Sequence, residues 1–64
     1  MIENVIAGLN IFNTKSNSKE IFAGHDVIYA GDCLAESLSV EELKILKDNH
    51  WHWSEDEECW YYFT

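Results

Sequence analysis

The sequence predicts a small α+β domain: two short helices packed on an antiparallel sheet that contains a C-terminal β-hairpin, in αβαββ order. Three observations predict it. Apolar residues recur at helical spacing near the N-terminus. Ser39-Val40-Glu41-Glu42 has the form of a helix start. The last fourteen residues hold six of the nine aromatic residues, in two clusters around four consecutive carboxylates, the pattern of two strands joined by a polar turn. At 64 residues the chain has room for one domain. A domain of this size buries only about 60% of the surface its unfolded chain exposes, so few core residues are dispensable.

Ile2, Val5, Ile6, Leu9 and Phe12 fall at i, i+3, i+4, i+7 and i+10, which predicts an amphipathic helix over 2–12. Gly8 weakens that helix by about 1 kcal/mol relative to alanine. The polar run from Asn13 to Ser18 reads as a loop. Val27-Ile28-Tyr29, bounded by Gly24 and Gly31, predicts a strand near 26–30. Ile21-Phe22-Ala23 either leads into it or packs as a separate turn. The segment from Asp32 to Leu38 is expected to pass over the core as a connection.

The second helix is expected over about 40–48. The Ser39 hydroxyl can accept from the Glu42 N–H while the Glu42 carboxylate accepts from the Ser39 N–H, and Leu38 can pack against Leu43 as a hydrophobic staple. Val40, Leu43 and Leu46 form its expected buried stripe, with Ile45 at the edge and Asn49 as the stop. In the hairpin, Trp51 and Trp53 share one face of strand 50–53, and His50 and His52 the other. In strand 59–63, Cys59, Tyr61 and Phe63 alternate with Trp60 and Tyr62, so both faces are aromatic. One face must cover the helices; the other is partly exposed or covered by the N-terminal helix. Trp53 and Trp60 are expected in the core.

Charge narrows the function. Twelve acids against four lysines and no arginine give a formal charge of −8. Phosphate neutralisation needs clustered Lys or Arg, so direct nucleic-acid binding and attraction to an anionic membrane are both disfavoured. A partner recognised by charge is a protein with a basic surface. The plain alternative is that acidity keeps a small protein soluble. No apolar run reaches the ~20 residues that span a bilayer, and no basic segment precedes an apolar one at the N-terminus. A cytoplasmic protein with reduced Cys33 and Cys59 is therefore expected. A core and a deep cleft compete for the same few residues, so no enzyme, catalytic residue or cofactor is expected.

Glu55-Asp56-Glu57-Glu58, at the hairpin turn, is the main candidate contact, with Glu41, Glu42 and Asp48 secondary. Carboxylates along an extended chain, with a rise of about 3.3 Å per residue, approach the ~3.4 Å spacing of phosphates along one nucleic-acid strand. An acidic face of this kind can occupy a basic groove in place of nucleic acid. The structural alternative is a solvated turn that guards aggregation-prone strands. His25-Asp26 has the form of a metal-dependent hydrolase dipeptide, but neighbours on a strand point to opposite faces, and ordering of the turn after Gly24 accounts for it. His50 and His52 could share a face and meet Cys59 or Cys33, yet the usual C-x₂-C zinc spacing is absent, so no metal is expected. The acids around Cys59 oppose its ionisation, which favours a structural thiol over a nucleophile. The aromatic residues of the hairpin are mainly core, with one or two available as interface anchors.

Phe22-Ala23-Gly24-His25-Asp26-Val27-Ile28-Tyr29-Ala30-Gly31, the Ser39-Val40-Glu41-Glu42 helix start, and Trp51-His52-Trp53-Ser54-Glu55 followed by Cys59-Trp60 and Phe63-Thr64 resemble a group of small, mostly uncharacterised acidic bacteriophage proteins. The resemblance covers roughly two thirds of the chain. A glycine that such proteins often carry before the first tryptophan is His50 here. The resemblance implies a phage or prophage origin and a compact αβαββ layout, and brings no functional residues with it. The expected function is a non-catalytic phage accessory protein that inhibits a host nucleic-acid-binding or defence protein. The alternative is an interaction module or homodimer acting through exposed aromatics. A small hydrolase built on His25 and Asp26 is the third and weakest expectation.

Overall fold

A computed structural model describes residues 2–64. Helix α1 (Ile2–Lys15) leads into a β-hairpin, β1 (Ile21–Ala23) and β2 (Val27–Ala30). A 3-10 turn (Ala35–Ser37) and helix α2 (Val40–Asp48) follow, and β3 (His52–Ser54) with β4 (Cys59–Phe63) closes the chain. The described residues form two α-helices and one antiparallel four-stranded sheet of order β1-β2-β4-β3. The architecture is the expected α+β domain, with one strand more than the αβαββ order. Ile21-Phe22-Ala23 is that strand. It pairs with β2 from Ile21↔Ala30 to Ala23↔Ile28 and forms a sheet edge.

Register decides the faces. Opposite residues of a pair share a side, so Ile28, Ala30, Tyr62, Trp60 and Trp53 lie on one face. Phe22, Val27, Tyr29, Tyr61, Phe63 and His52 lie on the other. The first face meets the helices around a core of Ile11, Phe12, Ala30, Cys33, Leu38, Leu46, Trp51, Trp60 and Tyr62. Edge-to-face packing links Phe12 to Trp51 at 5.0 Å and Trp53 to Trp60 at 5.7 Å between centroids, and Trp51 reaches Tyr62 at 5.5 Å. Both core indoles are satisfied: Trp51 Nε1 donates to the Asn4 carbonyl and Trp60 Nε1 to the Cys33 carbonyl.

The α2 start is the predicted capping box. The Ser39 N–H donates to Glu42 Oε1 at 2.9 Å, and the Glu42 N–H to Ser39 Oγ at 3.1 Å. Leu38 is buried and Leu43 packs against the same core. The expected buried Val40 is instead 83% exposed. It occupies the first helical position, outside the stripe that Leu43 and Leu46 turn inward. Asn49 is the C-cap, as expected, but His50 takes the left-handed conformation at φ 67°. The Trp51 N–H then bonds the Leu46 carbonyl, and the His50 N–H the Lys47 carbonyl. This is a Schellman ending, and it places Trp51 over Leu46. A glycine would adopt this left-handed conformation without the cost that His50 bears.

Two expectations for α1 are corrected. The helix continues to Lys15, past the predicted end at Phe12, because Asn13 and Thr14 are tolerated in a final turn where the Thr14 hydroxyl donates to the Ile11 carbonyl. The buried stripe is also rotated. Gly8, Ile11 and Phe12 are buried, with Val5 and Leu9 partly so, while Ile2 and Ile6 are exposed. Gly8 explains the rotation. A Cβ there would lie 2.2 Å from Trp51 Nε1, so the indole uses the space a side chain would fill. Gly8→Ala is therefore expected to destabilise. The ~1 kcal/mol gain in helix propensity is outweighed by roughly 1–3 kcal/mol of overpacking. A raised midpoint in urea unfolding would overturn this assignment.

Candidate functional site

The four tip carboxylates follow from the hairpin's geometry. Ser54 pairs with Cys59, leaving Glu55 to Glu58 as the connecting turn. The Ser54 hydroxyl accepts from the Glu57 N–H at 3.2 Å, and Glu58 closes the turn at φ 55°. All four side chains are exposed, and among the described residues no ion pair involves them.

The other acids proposed from sequence are differently placed. Glu42 is committed to its capping box and stands 3.8 Å from Lys15 Nζ. The Ser39 backbone N–H holds the Glu42 carboxyl below its ordinary range, and the charge of Lys15 acts in the same direction. Asp48 lies 2.6 Å from Lys44 Nζ, one helical turn away, and raises the lysine's pKa. Glu41 is exposed on the first turn of α2. Capping and local pairing thus occupy Glu42 and Asp48, while the tip groups four exposed carboxylates that make no ion pair among the described residues.

Sequence reasoning missed Asp32. It follows β2, and its carboxylate oxygens accept the N–H groups of Asn17 at 2.8 Å and Ser18 at 3.2 Å. This pins the α1–β1 loop and fixes one anion beside the hairpin end. Asp32, Glu57 and Glu58 share a depression with Cys59, Phe22 and Tyr29. The only sequence hint was the position of Asp32 directly after the strand-ending Gly31.

Among the described residues, no helix packs on the outer sheet face. Phe22 and Phe63 are each 64% exposed. Between them Tyr61 stacks obliquely with Tyr29 at 6.3 Å and His52 at 5.4 Å, and meets Phe63 edge-on at 5.2 Å. The sequence left the second aromatic face of β4 either exposed or under the N-terminal helix; the helix lies on the opposite face. No match emerges between this chain and protein-family models, curated proteins or solved structures.

His25 is exposed in the β1–β2 turn, and His50 and His52 are exposed at the start of β3. Cys33 is buried and Cys59 half-buried, both as free thiols. Among the described residues no three His, Cys, Asp or Glu side chains come together to hold a metal ion. No described helix is long and apolar enough to cross a membrane.

Burial pushes the Cys59 thiol above its ordinary pKa, and the charges of Glu57 and Asp32 add to the effect. At about pH 8 Cys59 should react with a chromogenic disulfide more slowly than a free thiol. Replacing Glu57 with Gln and Asp32 with Asn should speed the reaction, but not fully, because burial remains. A thiol whose folded pKa is raised favours folding below its unfolded pKa, and that contribution is lost as pH rises through the folded value. Unchanged kinetics in the double variant would separate these carboxylates from the thiol.

Proposed function

We propose that the protein is a non-catalytic binding module that docks its acidic hairpin end, together with the adjoining aromatic sheet face, on a basic surface of a partner protein. The observation that carries this reading is the continuity of the two features. Among the described residues, four exposed carboxylates that make no ion pair stand at the end of a sheet face that no helix covers and that bears Phe22, Tyr29, Tyr61 and Phe63. Carboxylates steer and orient the encounter, and exposed aromatics supply the apolar contact that dominates interface energetics. The resemblance to small bacteriophage proteins suggests a host nucleic-acid-binding or defence protein as the partner, inhibited by occupation of its basic groove. A homodimer through the same aromatic face is the second reading, favoured by the exposure of Phe22 and Phe63. Its obstacle is the charge of −8 on each copy.

The test joins substitution with salt. The fourfold amide variant Glu55→Gln, Asp56→Asn, Glu57→Gln, Glu58→Gln should keep the wild-type melt, since all four side chains face solvent. Capture of the partner from host lysate should fall sharply for that variant, and for the wild type as salt screens the contact. Nucleic acid should compete for the captured protein. Capture equal in both forms at low and high salt would reject the acidic-face reading. Concentration-dependent sedimentation as a dimer, abolished by Phe63→Ala, would move the function to self-association.

A further inference from the structure

Where β1, β2 and β4 reach the hairpin end, the outer face is indented. The depression has a volume of about 400 Å³, and Phe22, Tyr29, Asp32, Glu57, Glu58 and Cys59 are among the residues that line it, with Ser18, Ala30 and Gly31. That is within the roughly 300–1,000 Å³ range of ligand pockets. Its lining is mainly apolar, yet Asp32, Glu57 and Glu58 bring three carboxylates to it. Asp32 is held in place by two backbone N–H groups, so its charge is fixed at the rim before any ligand arrives. Among the described residues no ion pair involves Asp32, Glu57 or Glu58. An aromatic-walled depression ringed by like charges is incomplete electrostatically, and a cation with an apolar stem completes it.

We infer that this groove receives an arginine side chain from a basic segment of the partner protein. This rests on the proposed function, in which the partner presents a basic surface, and it specifies what part of that surface enters the fold. Guanidinium is planar, stacks on aromatic rings and offers forked donors to carboxylates. Phe22 and Tyr29 supply the rings, and Asp32, Glu57 and Glu58 the acceptors. The aliphatic stem lies along the apolar lining. Lysine matches the charge but neither the stacking nor the fork. A second copy of the chain has no arginine to offer. Nucleic acid would bring phosphates against three carboxylates.

The groove can be tested without the partner. A short blocked glycine–arginine peptide is titrated into ¹⁵N-labelled protein, in parallel with its lysine and its neutral citrulline counterparts. Saturable shifts are expected at Phe22, Gly31, Asp32 and Cys59 with arginine, weaker ones with lysine and none with citrulline. Phe22→Ala should weaken arginine binding about tenfold while keeping the dispersed spectrum of a folded chain, because Phe22 is mostly exposed. Glu57→Gln, a solvent-facing change, should weaken it independently. Equal shifts from the lysine peptide would overturn the assignment to arginine. Shifts confined to Glu55–Glu58 with unchanged affinity in Phe22→Ala would overturn the groove itself, yet leave binding by the acidic tip intact. Groove binding by the peptide alongside partner capture that ignores the tip amides would reject the proposed function instead.

Discussion

Trp51→Ala is expected to cost about 3–5 kcal/mol of unfolding free energy, a large part of the roughly 3–10 kcal/mol available to a domain of this length. Trp51 is 2% exposed. Its ring touches Phe12 edge-on and Tyr62 obliquely, and its Nε1–H donates to the Asn4 carbonyl at 3.0 Å. It joins α1, the end of α2 and β4 in one contact. Truncation leaves a cavity bounded by Gly8, which has no side chain to collapse into it, and removes the indole hydrogen bond to the Asn4 carbonyl. Far-UV circular dichroism melts should show a strongly lowered midpoint or an unfolded chain at room temperature. Trp53→Ala should cost less, because Trp53 is only half-buried on the edge strand β3. Equal losses in the two variants would mean that Trp51 is not the centre of the core.

Gly31→Ala is expected to lose about 2–5 kcal/mol from two independent sources. Gly31 has φ +79°, a left-handed conformation that costs an L-residue with a Cβ roughly 1–2 kcal/mol. The new Cβ would also lie 2.5 Å from Phe12 Cδ1, with the ring's Cγ at 2.6 Å. Phe12 is 4% exposed between Trp51 and Trp60, so its ring cannot yield freely, and overpacking adds about 1–3 kcal/mol. Backbone position matters here too, since the Gly31 carbonyl accepts the Trp60 N–H at 3.0 Å. A double-mutant cycle with Phe12→Ala separates the sources: the steric part should couple to Phe12, and the backbone part should not. A melt within experimental error of the wild type would show that the chain bends around the methyl at no cost.

The hairpin end and α2 were legible because their signals are local. The Ser39–Glu42 box needs only the spacing of two residues, and both its hydrogen bonds form. Asn49 as the stop, the strand ending in Phe63, and the acidic turn before Cys59 read off in the same way. Strand β1 was harder. Three residues carry no period, and its pairing with β2 comes from a partner across the turn. Asp32 was overlooked as a site residue because its importance lies in three-dimensional neighbours, Glu57 and Cys59.

The sequence by itself determined an acidic α+β domain with a capped second helix and an aromatic C-terminal hairpin, since propensity, capping and alternation act over a few residues. Only the tertiary structure decided which faces are buried. In β4 the alternation is aromatic on both sides and has no preferred direction. The direction was set by the inner face, where Trp60 and Tyr62 meet Phe12 and Trp51. In α1, counting apolar side chains gives Gly8 no weight, yet the Trp51 indole fits against the helix only where a side chain is missing. That contact turns Ile2 and Ile6 outward. With the rings of one sheet face consumed by the core, Phe22, Tyr29, Tyr61 and Phe63 remain on the other, beside the carboxylates of the hairpin end.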